Sequence, residues 1–186
     1  MLLGILVGGQ ARRMGGVQKG LLRAPDRGET LIARLARVGR EAGLDPILVG
    51  AAELGAAGEG LPQVYDLEPR VGPLSGLAAL LARAAGAPAI AVACDMPQLS
   101  SALLSRLARE SPDAVVLAPR DRQTGKWQPL CARYDSACVA AVLAQAMARG
   151  MRSFQALFGE LPVVELALSD AERTELHDWD TPEDMR

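Results

Sequence analysis

The sequence predicts an α/β fold, with a largely parallel sheet packed against helices. Two observations point there. Short apolar runs that end at Gly or Asp alternate with segments whose apolar residues recur at helical spacing. The chain is also 49% apolar but only 3% aromatic, so its core must be built from Leu, Val and Ala, which suits sheet and helix layers better than ring-filled packing. At 186 residues the length fits one domain of ordinary size, and residues 1–186 are expected to form it.

The elements follow in order. Leu2 to Val7 is a short apolar run, too short to span a membrane and lacking a basic leader, and reads as a buried strand that ends at Gly8-Gly9. A glycine-rich loop to Gly20 follows. Thr30 is placed to cap a helix with Leu31, Leu35, Val38 and Ala42 on one face and Gly43 as its stop. Pro46 to Gly50 reads as the second strand, Ala51 to Gly60 as loop, and Gln63 to Asp66 as a short strand. Ser75 opens a helix through Ala84, and Ala89 to Cys94 is apolar throughout, as a central parallel strand should be. Then come a helix from Ser101 to Glu110, a strand from Ala114 to Ala118 and an extended stretch from Trp127 to Tyr134. A helix from Asp135 to Gly150, a short helix near Phe154 and a strand from Val163 to Leu166 complete the body. Thr181-Pro182 marks a last helix start.

Charge and composition remove several function classes. With 20 basic and 22 acidic residues and a net charge of −2, no global field exists to hold nucleic acid, so phosphate affinity must be local. Cys94, Cys131 and Cys138 match no zinc or redox spacing and favour reduced thiols in the cytoplasm. The single histidine, His177, leaves little material for a histidine triad or a multi-histidine metal site. Chemistry must rest on carboxylates, Lys, Arg and backbone amides.

Two constellations can supply it. A strand ending in Gly8-Gly9, followed by Arg12, Arg13, Gly15, Gly16 and Lys19, can turn backbone N–H groups and cations onto a phosphate chain, although an ordinary surface turn has a similar composition. The Walker pattern is absent, because Lys19 lies between Gln18 and Gly20, and so is the spaced dinucleotide GxGxxG. Asp95 directly follows an apolar strand, where open α/β sheets place their ligands. Asp95 and Asp180 together could hold a hard cation such as Mg2+. Each also has an ordinary reading, Asp95 as a helix cap before Pro97 and Asp180 as a residue favouring a helix dipole.

The segments LVGGQARRMGGVQKGLL, VYDLEPRVGPLSGL, VACDMPQL, WQPLCARY and WDTPEDM, in this order, resemble the molybdenum cofactor guanylyltransferases nearly end to end. The resemblance implies a single-domain three-layer sandwich with a mostly parallel mixed sheet, the nucleotide-diphospho-sugar transferase (Rossmann-like) fold. It implies GTP and molybdopterin (the molybdenum cofactor) as substrates, Mg2+ as cofactor, and transient contacts with cofactor-biosynthesis and acceptor proteins, with no role for nucleic acid or membrane. Leu6, Val7 and Gly8 match the segment lining the family's nucleotide, with Gly9 beside them as a further binding candidate from the loop, Arg13 and Lys19 match its triphosphate cations, Asp66 a nucleotide-binding aspartate, and Asp95 the magnesium ligand. Four positions depart from the pattern: Val7 for Ala, Gln18 for Asp, Gly50 for a nucleotide-contacting Asn, and Asp180 for Asn. The last is similar to the related cytidylyltransferases.

The implied reaction is in-line attack by the terminal phosphate of molybdopterin on the α-phosphorus of GTP. Charge stabilisation falls to Mg2+ on Asp95, to Lys19 and Arg13, and to loop amides. The acceptor is expected near Gly72 to Gly76 and Trp127 to Leu130. The alternatives are a transferase using CTP or another acceptor, a non-catalytic nucleotide-binding module and a protein-interaction domain. The module would keep the glycine loop but has no use for Asp95 together with Lys19, and the interaction domain is disfavoured because the polar motifs sit at predicted strand ends rather than on one continuous apolar face.

Overall fold

A computed structural model describes residues 1–7, 19–24, 28–50, 60–65 and 72–179, and of Lys19 only the backbone. The strands are β1 (Leu2–Leu6), β2 (Asp45–Val49), β3 (Gln63–Val64), β4 (Ala89–Ala93), β5 (Val116–Ala118), β6 (Cys131–Tyr134) and β7 (Val163–Glu165). The helices are α1 (Leu31–Glu41), α2 (Pro73–Ala84), α3 (Ser101–Arg109), α4 (Ser136–Ala148), α5 (Phe154–Phe158) and α6 (Asp170–Thr174). The strands form one seven-stranded sheet in the order β3-β2-β1-β4-β6-β5-β7. All run parallel except β6, which is antiparallel to both β4 and β5.

The alternation of side chains along β1 explains the layers. Leu3, Ile5 and Val7 join the core under α1 and α3, whereas Leu6 faces the core under α2, α4 and α5. Two glycines let helices approach the central strand closely. A Cβ on Gly4 would lie 2.6 Å from Leu80 of α2, and one on Gly39 of α1 would lie 2.5 Å from Leu3.

Helix ends follow the local chemistry. Thr30 caps α1, its hydroxyl accepting from the Ala33 N–H at 3.2 Å. At the other end Gly43 (φ 76°) and Leu44 donate to the Arg40 and Gly39 carbonyls, the paired bonds of a Schellman stop that needs a left-handed residue. Ser100, Asp135 and Ser153 cap α3, α4 and α5. Asp95 is therefore no helix cap.

The expected strands are present with trimmed ends, and β3 is limited to Gln63–Val64. The helix expected from Ser75 opens earlier, with Gly72 as cap and Pro73 in the first turn, because proline's fixed φ suits that position. The extended stretch from Trp127 resolves into an isolated bridge between Arg120 and Trp127 followed by β6. The helix start at Thr181 and the loop residues 51–59 lie outside the described residues.

One buried cation joins two layers. Arg133 of β6 is 2% exposed, and its Nη1 donates to the carbonyls of Leu107 (3.0 Å), Ala108 (3.3 Å) and Glu110 (2.8 Å) while Nη2 reaches Ser111. These are the orphan carbonyls at the end of α3, where the helix dipole favours positive charge. Burial lowers the Arg133 pKa from its ordinary value, yet a guanidinium remains charged in a protein. Replacing Arg133 by Met should cost about 3 kcal/mol in urea denaturation, because buried carbonyls lose their donors. Arg133→Lys should recover only part of this, since a single ammonium cannot fan across four acceptors.

Candidate functional site

The parallel register gathers several predicted residues at one edge. Leu6 of β1 lies opposite Val49 of β2 and Ala93 of β4. Val7 then donates to Val49 O (2.9 Å), Gly50 to Val64 O (2.9 Å) and Cys94 to Leu6 O (3.3 Å). Val7, Gly50 and Asp95 thus sit just past the paired ends of adjacent strands. The chain leaves β1 toward β2 on one side, while β4 lies on the other, so this edge is the switch point where such sheets bind ligands.

The side chains of Leu6 and Val7 are only 8% and 6% exposed and belong to the two cores. Any ligand lining by these residues must come from their backbone. Gly50 has φ 128°, a conformation that L side chains rarely adopt, and its carbonyl accepts from the Gln63 side-chain amide at 2.8 Å. The backbone geometry thus gives a physical reason for glycine here.

Lys19 opens a single 3-10 turn, Lys19–Leu21, where the sequence pattern predicts loop. A Cβ on Gly20 would lie 2.6 Å from Ile32 and 3.6 Å from the Cys94 Cβ. The residue after Lys19 therefore packs against the residue before Asp95. From the far end of the chain, the Trp179 N–H donates to the Asp95 carbonyl at 3.0 Å. Lys19 and Asp95 are brought together in backbone, and the residue preceding Asp180 is tied to Asp95. Gly8, Gly9, Arg12, Arg13, Gly15, Gly16, Asp66 and Asp180 lie outside the described residues.

The GPLSG and WQPL segments reach the same edge. The α2 helix ends at Ala84, shortly before β4 begins, so its start at Gly72 lies at the carboxyl end of the sheet. There the Ser75 hydroxyl donates to Gly72 O at 2.7 Å. Because β6 is antiparallel, its entry also lies at this edge, and Ala93 donates to Leu130 O at 3.1 Å. Trp127 is held by the amide of Gln155, which accepts from its N–H (3.1 Å) and donates to its carbonyl (2.8 Å). The Arg120 guanidinium stacks 5.2 Å from the indole centroid.

Comparison with known proteins fits this geometry. A family model described as "MobA-like NTP transferase domain" matches residues 3–164. The chain belongs to this family. Similar members include a probable molybdenum cofactor guanylyltransferase of Opitutus terrae, 39% identical over 97% of this chain and 90% of the relative. A molybdenum cofactor guanylyltransferase of Xanthomonas euvesicatoria is 34% identical over 96% of this chain and 89% of its own length. Among solved structures, molybdopterin-guanine dinucleotide biosynthesis protein A from Archaeoglobus fulgidus has a TM-score of 0.79 at 23% identity, covering 100% of this chain and 95% of that one. A 2-C-methyl-D-erythritol 4-phosphate cytidylyltransferase from Thermus thermophilus has a TM-score of 0.69 at 16% identity, covering 100% and 94%. At these identities the two structures establish a shared fold, that of the nucleotidyltransferases.

Three polar features of this family member were not anticipated from sequence. Arg133 stands as a lone charge in an apolar strand, and Gln155 and the short helix α6 complete the set. The α6 helix opens with a capping box, Ser169 and Glu172 exchanging bonds, and Glu172 also accepts from Arg106 of α3. The Arg106 bond and then the Ser169 amide hold the Glu172 carboxyl down from 4.5 to about 2. Burial, with a smaller contribution from the Glu175 charge, pushes the Cys131 thiol up to about 12, which makes it a packing residue.

The depressed Glu172 carboxyl contributes stability that is fully present above its unfolded value of 4.5 and lost as pH falls through about 2. Glu172→Gln should therefore lower unfolding stability by about 1 kcal/mol at pH 7. In urea titrations from pH 7 to pH 2, the gap from wild type should close below pH 4.5.

Proposed function

We propose that the chain transfers GMP from GTP to the terminal phosphate of molybdopterin, releasing pyrophosphate and forming molybdopterin guanine dinucleotide. The observation that carries this reading is the convergence on Asp95. The turn begun by Lys19 packs beside Cys94, and Trp179 is bonded to the Asp95 carbonyl. Guanylyltransferase relatives matched over nearly the whole chain support the choice of nucleotide and acceptor. The reading treats residues 1–186 as one nucleotidyltransferase domain working in the cytoplasm. Among the described residues no helix is long and apolar enough to cross a membrane.

The donor set fits Mg2+. Among the described residues no cluster of three His, Cys, Asp or Glu forms a cage, and Mg2+ needs only one or two carboxylates when substrate phosphates and water complete its shell. Asp95 stands at the switch point, and the chain leading to Asp180 is tied to it through Trp179. Asp95 and Asp180 would hold the ion, which when bound neutralises phosphate charge and orients the triphosphate.

In the proposed step, an ionised acceptor oxygen forms a bond to the α-phosphorus while the α–β bridging P–O bond breaks and its electrons leave with pyrophosphate. No general base is required. Lys19 and Arg13 would bind and neutralise the triphosphate, Leu6 to Gly9 and Gly50 would line the nucleotide, and Asp66 would contact it. The acceptor lies at the same carboxyl edge, against the start of α2 at Gly72 to Gly76 and the Trp127 to Leu130 segment. Its terminal phosphate thereby faces the nucleotide across the sheet edge. Hand-over of substrate and product would involve transient contacts with cofactor-biosynthesis and acceptor proteins.

GTP with Mg2+ should raise the melting temperature more than CTP or ATP does, since binding to the native state stabilises it by mass action. Asp95→Asn should abolish the Mg2+-dependent part and lower kcat by about 10²-fold or more. A larger shift with CTP would move the chain to a cytidylyltransferase activity, and no shift with any nucleotide would contradict the proposal.

A further inference from the structure

We propose that residues 167–179 form a strap that positions Asp95, and that Glu175 is its positioning residue, holding the Asp95 segment in the geometry that binds a nucleotide-bound divalent cation. The inference deepens the reading of Asp95 as a metal ligand and rests on it.

Residues 94–100 link β4 to α3 without helix or strand of their own, so contacts from outside must fix their path. Three do so. The Asp95 carbonyl accepts from the Trp179 N–H at 3.0 Å, the Leu99 carbonyl accepts from Arg34 Nη1 at 2.7 Å, and the Ser100 N–H donates to Glu175 Oε2 at 2.9 Å. Two of the three come from the strap.

The Glu175 contact replaces something the local sequence lacks. In a capping box, an acidic residue at the third helical position accepts from the N–H of the cap residue. In α3 the cap is Ser100 and that position is Leu103, and the first turn contains no acidic residue. Glu175 supplies the missing carboxylate from 75 positions away, at a helix end that favours negative charge.

Leu168 anchors the strap in the core and Leu176 packs against it, while α6 between them buries no residue and is held by polar contacts. Arg106 of α3 donates to Glu172 and, at 3.0 Å, to Ala167 O, while Arg173 donates to Leu168 O (3.0 Å) and Arg120 O (3.3 Å). With its start fixed on α3 and the β5–β6 loop, the strap places Glu175 and Trp179 at the two ends of the Asp95 segment. Continuing along the chain, Trp179 leads directly to Asp180, the second proposed ligand.

A merely structural cap would change melting temperature alone, so the test reads cation affinity. Mn2+ is titrated into the full chain in the presence of GTP, with free Mn2+ followed by electron paramagnetic resonance, alongside hydrogen exchange at the Trp179 amide. Glu175→Ala should raise the half-saturating Mn2+ concentration about tenfold, the scale of a lost hydrogen bond to a charged group, and should speed Trp179 exchange. Glu175→Gln, which keeps an oxygen for the Ser100 N–H, should restore most of the affinity. Trp179→Pro removes the N–H on Asp95 and carries the same expectation for Mn2+ affinity, so the proposal stays testable if Glu175→Ala does not fold. Unchanged Mn2+ affinity in folded Glu175→Ala or Trp179→Pro would overturn the inference alone. Absence of Mn2+ binding by the wild type with GTP would overturn the metal-ligand reading and the inference with it.

Discussion

The parallel pairing of β1 with β2 on one side and β4 on the other determines where everything else in this protein can act. Leu6 stands opposite both Val49 and Ala93, so three strands run out of hydrogen-bonding partners at the same height. Parallel strands require crossovers, and the helices that supply them start at the carboxyl edge. That edge therefore collects strand ends, helix starts and the loops between them. The two glycine contacts, Gly4 with Leu80 and Gly39 with Leu3, allow α1 and α2 to sit close enough to hold β1 rigidly. A slip of one residue in β1 would exchange the residues facing the two cores and displace Val7 relative to Asp95.

On this frame, polar contacts handle what apolar packing does not. Arg133 neutralises and satisfies the end of α3, Glu175 serves its beginning, and Arg106 ties its side to α6. The helix that follows Asp95 is thus fixed at both ends by residues distant in sequence. The antiparallel strand β6 brings Leu130 beside Ala93, and the Gln155 amide holds Trp127 in place through both of its backbone groups. The proposed nucleotide and acceptor sides consequently meet at this edge on fixed elements, as catalysis by positioning requires.

What was legible in the sequence was whatever local pattern encodes. The all-apolar run Ala89 to Cys94 announced a central strand, Thr30 and Gly43 marked both ends of α1, and Asp95 stood out as a carboxylate after a strand. The turn at Lys19 was not legible as structure, because Gly20 is there for a close approach to Ile32 that only tertiary packing creates. The α6 helix escaped for another reason. It buries no residue and so has no apolar stripe, although the Ser169 and Glu172 spacing did carry a capping signal. Arg133, Gln155 and Glu175 act on partners more than 20 residues away, a distance that periodicity cannot read. The family resemblance supplied the role of Asp66 and narrowed that of Arg13, whereas Asp180 was read from the residues as a partner for Asp95; all three lie outside the described residues.

The central claim is the transfer itself, and the most direct measurement follows the atom that moves. GTP labelled at the α-phosphorus is incubated with the full chain, Mg2+ and molybdopterin, and the products are separated and weighed. The account predicts label in a molybdopterin guanine dinucleotide, with one pyrophosphate released for each dinucleotide formed. Label that stays in GTP, or enters GMP without joining the pterin, would contradict it.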